Sequence, residues 1–244
     1  MIIDIFSHHI SPSVGKMMEK AKYYGEGKEF PYPPRNADPE VRLSIMEKYG
    51  VDMQAVSQTT PVLLGLSDED AMEVCRLSNQ DNYALCNAYP DKFVNVCIFH
   101  LPDMKGTIEE LDRAVNELDC RGVTISSNQS GRGLDSPEFF PFFVRRIETN
   151  VRGFLQDKLP RDISEYFGNI YGDTAVDGTP GAFQCGYAFF GAERMMYGSD
   201  YPFGAEAGED FVRENLAGVK ALAIPEEEKK RILGENAKKM FKIT

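Results

Sequence analysis

Three short stretches of this chain carry residue types able to do chemistry at the end of a strand. The first is Asp4-Ile5-Phe6-Ser7-His8-His9. Alternate residues of a strand share a face, so positions 6 and 8 point the same way. Two histidines at that spacing can clamp one metal ion; here the pair is Phe6 and His8. The second stretch is Gly198-Ser199-Asp200-Tyr201-Pro202, where a carboxylate directly follows a short strand. The third is Ser126-Ser127-Asn128. Each has a plainer explanation when taken alone. A single His8 is more often a hydrogen-bonded structural residue than a ligand. A single Asp200 serves equally well as the cap of a following helix. His9 faces away from His8, and His100, just before Leu101-Pro102, reads as a loop residue.

These groups must be held by an alternation of strands and helices. Short β-rich runs cover Ile2–Phe6, Gln54–Gln58, Phe93–Phe99, Gly122–Ser127, Asn169–Ala175 and Met195–Tyr197. Helical patterns cover Asp38–Tyr49, Ser67–Tyr89, Ile108–Leu118, Ser136–Thr149, Ala182–Phe190, Glu209–Leu222 and Pro225–Phe241. Asp38 caps the first of these with Pro39 behind it, and Ser67 caps the second before the acidic turn Asp68-Glu69-Asp70. Strands separated by helices pair in parallel with right-handed crossovers. The expected fold is therefore α/β and TIM-barrel-like. It is expected to be incomplete or distorted, because six strands are clear and Val151–Leu155 is at best a seventh. Two missing strand–helix units would need on the order of 60 residues. The stretch 144–160 is too short for them. The Gly-, Pro- and aromatic-rich stretch 23–36 reads as a loop or lid.

Composition narrows the function classes. The chain has 244 residues, 42% hydrophobic and 27% charged, which fits one domain with a substantial core. Its net charge of -11 argues against nucleic acid and anionic membrane surfaces as partners. No apolar run is long enough to span a bilayer, and the opening residues do not have the pattern of a signal peptide. The five cysteines form no C-x-x-C pair, so reduced thiols in a cytoplasmic protein are expected.

Several blocks together resemble one family. The opening Met1 to Pro12 is similar to the start of the amidohydrolase-related proteins. That group holds aminocarboxymuconate-semialdehyde decarboxylase, hydroxybenzoate-type decarboxylases and some hydrolases. Arg42-Leu43 through Met46, with Gly50-Val51-Asp52-Met53-Gln54, resembles the family's first helix and second strand. Tyr89 to Val94 resembles its third-strand entry, and Gly122 to Asn128 with Gly133 to Phe139 its fourth-strand region. Asn169 to Thr174 and Met196 to Gly204 resemble its last two strands, and Ile232 to Ala237 its C-terminal helix. The blocks run in order along nearly the whole chain, as one domain over residues 1–244.

The resemblance implies a barrel with a divalent ion, zinc or manganese. Its usual ligands are two first-strand histidines, histidines from the fifth and sometimes sixth strand, and the aspartate after the last strand. This chain keeps only His8 and Asp200 of that set, with Asp200 also the candidate catalytic residue. Phe6 stands at the first histidine position, and no histidine follows His100. Two ligands fall short of the three typical of catalytic zinc. The main expectation is therefore a non-catalytic or assembly subunit, either a homo-oligomer or a partner of a full-length paralogue, with the zinc or manganese that the resemblance implies or no cofactor at all. The alternative is an active metal-dependent lyase or hydrolase on a small carboxylated or aromatic compound. Its ligands would come from another chain or from an unusual set such as His8, Asp200, Asp173 and water. Phe6, Ser126, Asn128, Tyr171, Asp173 and Tyr201 are the candidates for lining a small-molecule pocket.

Overall fold

The computed structural model describes residues 1–9, 11–20, 38–126, 128–129, 132–133 and 170–243. The lid at 23–36, the helix at 136–149 and the shortened stretch 144–160 lie outside the described residues. Strand β1, Ile3–His8, pairs in parallel with β2, Met53–Ser57. β2 pairs with β3, Phe93–Ile98, and β3 with β4, Gly122–Thr124. The hairpin β5, Asn128–Gln129, and β6, Arg132–Gly133, follows. β7, Gly172–Asp173, pairs in parallel with β8, Met195–Met196. Backbone hydrogen bonds from Ile5 N to Tyr197 O (2.9 Å) and from Asp200 N to Phe6 O (2.8 Å) then join the exit of β8 to β1. The parallel strands thus run β7-β8-β1-β2-β3-β4, a curled part-barrel with helices on its outside.

The helices form where local chemistry asks for them. The first, α1, Pro12–Lys20, was not read from the sequence. Ser11 Oγ accepts from Val14 N at its start, and Ser11 Oγ in turn donates to Asp81. α2, Pro39–Tyr49, has Asp38 accepting from Glu40 N and ends on Gly50 at φ 70°, the left-handed conformation that glycine adopts without strain. α3, Asp68–Ala88, has Ser67 accepting from Asp70 N. α4, Met104–Glu117, begins four residues before the apolar periodicity, because Asp103 accepts from Gly106 N at 3.0 Å and caps it. The remaining helices are α5, Pro180–Phe190, α6, Glu209–Ala221, α7, Glu226–Lys230, and α8, Asn236–Phe241. A π-type turn at Arg231–Glu235 divides the expected single closing helix into α7 and α8.

The later strands, from β3 on, are shorter than the β-rich runs that mark them. β7 covers two residues of Asn169–Ala175, and β8 two of Met195–Tyr197. The main core lies between β8 and the helices outside it. It includes Phe183, Met195, Tyr197, Val212, Leu216 and Ile232, all buried. Burial of such side chains supplies the main favourable term in folding. Among the described residues, no helix is long and apolar enough to cross a membrane.

Candidate functional site

The side chains with reactive chemistry meet where β1 ends against the exit of β8. His8 lies at the end of β1, and its imidazole is nearly buried. Its Nε2 stands 3.1 Å from Asp200 Oδ1, whose side chain remains 32% exposed. With the proton on Nε2, His8 donates to Asp200 while Nδ1 accepts from Ser57 Oγ at 3.4 Å. Two aromatic rings also flank the imidazole. Phe6 packs edge-on to it with centroids 4.8 Å apart, and Phe203 with centroids 5.5 Å apart.

Two backbone features aim these groups. The register between β1 and β2 shifts between Asp4 and Ser7, where three steps along β1 match two along β2. Such a bulge bends a strand and redirects its side chains. On the other side, Asp200 has φ 65°, a conformation uncommon outside glycine though less so for Asp and Asn. Gly198 permits the close approach of the strands. A Cβ there would lie 2.9 Å from Phe6 Cβ and 3.1 Å from Asp173 Cβ.

Asp173, at the end of β7, is the third acidic group of this region. It keeps solvent contact, and its Oδ1 accepts from Ala175 N at 2.8 Å. Its carboxyl pKa is nonetheless raised, first by desolvation under its neighbours and also by the negative charge of Asp200.

A buried polar network lies beneath the couple. Asp4 is fully buried and accepts from Ser199 Oγ, Ser199 N (3.0 Å), Gln54 Nε2 (3.0 Å) and Phe6 N (3.2 Å). Burial pushes its carboxyl up to about 6 in spite of these four donors. Gln54 Oε1 accepts from Arg42 at 2.8 Å, and Arg42 also donates to the carbonyl of His8. The Arg42 guanidinium lies over the Tyr201 ring, 4.4 Å from its centroid. The network therefore ties α2, β2, β1 and the exit of β8 to the backbone on which His8 and Asp200 sit.

The expected site residues separate into two groups. His8, Asp200, Phe6 and Asp173 come together. Tyr201 is 1% exposed and packs in the core under Arg42, so its ring lines no open cleft. Tyr171 is 43% exposed, one residue before β7. Ser126 follows β4 with its carbonyl accepting from Gln129, and among the described residues no hydrogen bond joins it to His8 or Asp200. Asn128 opens β5. Arg42, Gln54, Ser199 and Phe203 were not singled out from the sequence. An arginine within a helical pattern reads as surface, and only the tertiary fold turns Arg42 inward. A groove at the strand-start end, lined by Met53, Phe93, Asn95, Leu118 and Arg121, contains none of the site residues.

The donor set decides whether a catalytic metal fits. The chain has three histidines, and all are described. His9 is buried with Nδ1 bonded to Asn82 at 2.7 Å, and His100 is bonded to Asp68 at 2.7 Å. Among the described residues, no three His, Cys, Asp or Glu side chains converge to hold an ion. His8 and Asp200 are two donors where catalytic zinc takes three from the protein, and Phe6 adds only a ring. Among the described residues, those present do not fit a metal centre of that kind.

Comparison with known proteins gives a consistent picture. The family model described as Amidohydrolase matches residues 6–156 and 159–243. A 2-amino-3-carboxymuconate-6-semialdehyde decarboxylase of Dictyostelium discoideum is 32% identical over 152 residues, 58% of this chain and 42% of that protein. A gamma-resorcylate decarboxylase of a Rhizobium species is 28% identical over 139 residues, 53% of this chain and 42% of that protein. The chain thus spans less than half the length of these curated relatives. Among solved structures, a 5-carboxyvanillate decarboxylase of Novosphingobium aromaticivorans, complexed with manganese and a nitrobenzoic acid ligand, superposes with a TM-score of 0.76. It is 16% identical, covering 100% of this chain and 96% of that one, a likeness of fold.

Proposed function

The chain belongs to the amidohydrolase family, and from that premise we propose that it is a lyase. Its substrate is a small carboxylated compound, and His8 and Asp200 are its proton-transfer couple. The observation that carries this reading is the meeting of His8 Nε2 and Asp200 Oδ1 at 3.1 Å. The two residues are 192 positions apart in the chain and are brought together at strand ends, where barrel folds place their chemistry. The names of the relatives and of the compared structure, all decarboxylases, support the same class.

Loss of carbon dioxide leaves the electron pair of the broken C–C bond on the carbon that bore the carboxylate. That carbon must then receive a proton. A histidine sharing a proton with a carboxylate is suited to deliver it and to take its replacement from water. Asp173, with its carboxyl pKa raised, keeps a further acidic proton beside the couple at higher pH than an ordinary aspartate. Phe6 and Phe203 give the couple apolar walls. The loss of family ligands favours a non-catalytic subunit when the sequence is taken alone. The converged couple and the decarboxylase relatives favour the active alternative.

The test is carbon dioxide release from a panel of hydroxylated benzoic acids and unsaturated dicarboxylic acids. Asp200→Asn and His8→Ala are each expected to lower turnover by about 10²- to 10⁴-fold, the usual contribution of acid–base groups. No turnover of any acid, with or without added zinc or manganese, overturns the reading. So does turnover that both substitutions leave intact.

A further inference from the structure

We propose that the His8–Asp200 couple works with a shared proton in the place of a divalent ion, the Phe6 and Phe203 rings closing off the positions from which further ligands would reach it. The inference rests on reading His8 and Asp200 as the reactive couple. It goes beyond that reading by separating this chain from the manganese-bound structure that shares its fold.

Four observations carry it. First, the donors of the couple are already satisfied. His8 Nε2 is engaged with Asp200 Oδ1 at 3.1 Å, and Nδ1 faces Ser57 Oγ at 3.4 Å. Second, the ring has carbon on two sides, Phe6 at 4.8 Å and Phe203 at 5.5 Å between centroids. An ion on those sides would lose water without gaining a ligand from either ring. Third, the residue facing Phe6 from the last strand is Gly198, which has no side chain to offer, and Phe6 Cβ fills the space a Cβ there would take. Asp173, on the far side of Gly198, has one carboxylate oxygen committed to Ala175 N. Fourth, the other two histidines are bonded elsewhere, His9 to Asn82 and His100 to Asp68. No histidine is left to complete a coordination shell.

A shared proton asks less of the site than an ion does. It needs one donor and one acceptor at hydrogen-bond distance, and both are present. A zinc ion needs three protein ligands and an open position. In the first case the couple can pass its proton to the substrate carbon, where it stays as the new C–H bond, and take its replacement from water through the partly exposed Asp200. In the second it is locked as a ligand pair.

The test is metal retention by the full chain, incubated with zinc or manganese, desalted and measured by elemental analysis, with Phe6→His and His8→Ala alongside. Wild type is expected to retain far less than one ion per chain. Phe6→His, which restores a donor beside His8, is expected to retain at least about tenfold more, the scale on which even an outer partner changes affinity. A second readout uses histidine-labelled protein, because bound manganese broadens nearby ring signals. The His8 signal is expected to persist in wild type and to broaden in Phe6→His. Wild type holding one ion per chain that His8→Ala loses overturns the inference and leaves the lyase reading standing. Wild type that holds no ion and consumes no acid overturns the lyase reading and, with it, the couple's work in place of an ion. A folded Phe6→His that retains no more metal than wild type overturns the role given to Phe6.

Discussion

At the scale of single residues, the site is a half-buried couple resting on a fully buried carboxyl. His8 and Asp200 meet solvent through the aspartate, while Asp4 is sealed beneath them among Ser199, Gln54 and the backbone of Phe6. Four donors normally favour a carboxylate, yet burial outweighs them and raises the Asp4 carboxyl from 3.8 to about 6. A carboxyl raised on folding binds its proton more tightly in the native state. Its stabilising contribution is therefore complete below 3.8 and is lost as pH rises through about 6. The protein is expected to lose up to about 3 kcal/mol from this group over that interval. Thermal unfolding of wild type and Asp4→Asn across it checks the sign. The gap between the two curves should change with pH inside the interval and hold constant above it.

At the scale of elements, the position of the last strand is set by packing rather than by its own length. β8 is two residues long, and its neighbours hold it. Tyr197 N donates to Ile232 O at 2.8 Å, and Asn215 on α6 donates to Ser199 O at 3.2 Å. Helix α6 sits close to α5 because Gly218 faces the Phe183 ring, which is 1% exposed. A methyl at that position would stand 2.2 Å from Phe183 Cε2. Gly218→Ala must push α5 and α6 apart and is expected to cost about 1–3 kcal/mol, as overpacked cores do. Chemical denaturation measures it. An unchanged midpoint would show that the ring moves aside freely.

At the scale of the whole molecule, the parallel strands form an arc in which the first and last strands of the chain are neighbours. This is why residues 8 and 200 come within hydrogen-bond distance. The net charge of -11 is spread over a chain whose family match runs almost from end to end. The expectation of a homo-oligomer or of a complex with a full-length paralogue belongs at this scale. Light scattering on the purified chain is expected to give at least twice the mass of one chain, alone or with its partner. A stable, well-behaved monomer would remove that expectation.

Much of this was legible in the order of residues. The alternation of strand and helix, the caps at Asp38 and Ser67, the kinship of the blocks and the candidacy of His8 and Asp200 all depend on local spacing and residue type. Local rules suffice for them because caps, periodicity and strand alternation act within a few residues. The helix at Pro12–Lys20 has a local start of the same kind, Ser11 accepting from Val14 N ahead of Pro12, and Asp81, 70 positions away, only braces that serine. The inward turn of Arg42 and the raised carboxyl of Asp4 have no local signal, since burial is a property of the assembled fold. The family resemblance implies that Phe6 stands at a ligand position and that His8 and Asp200 keep theirs. Only the tertiary structure could decide that the two meet at hydrogen-bond distance with aromatic rings around them. That outcome depends on which strands lie side by side, and no local pattern carries it.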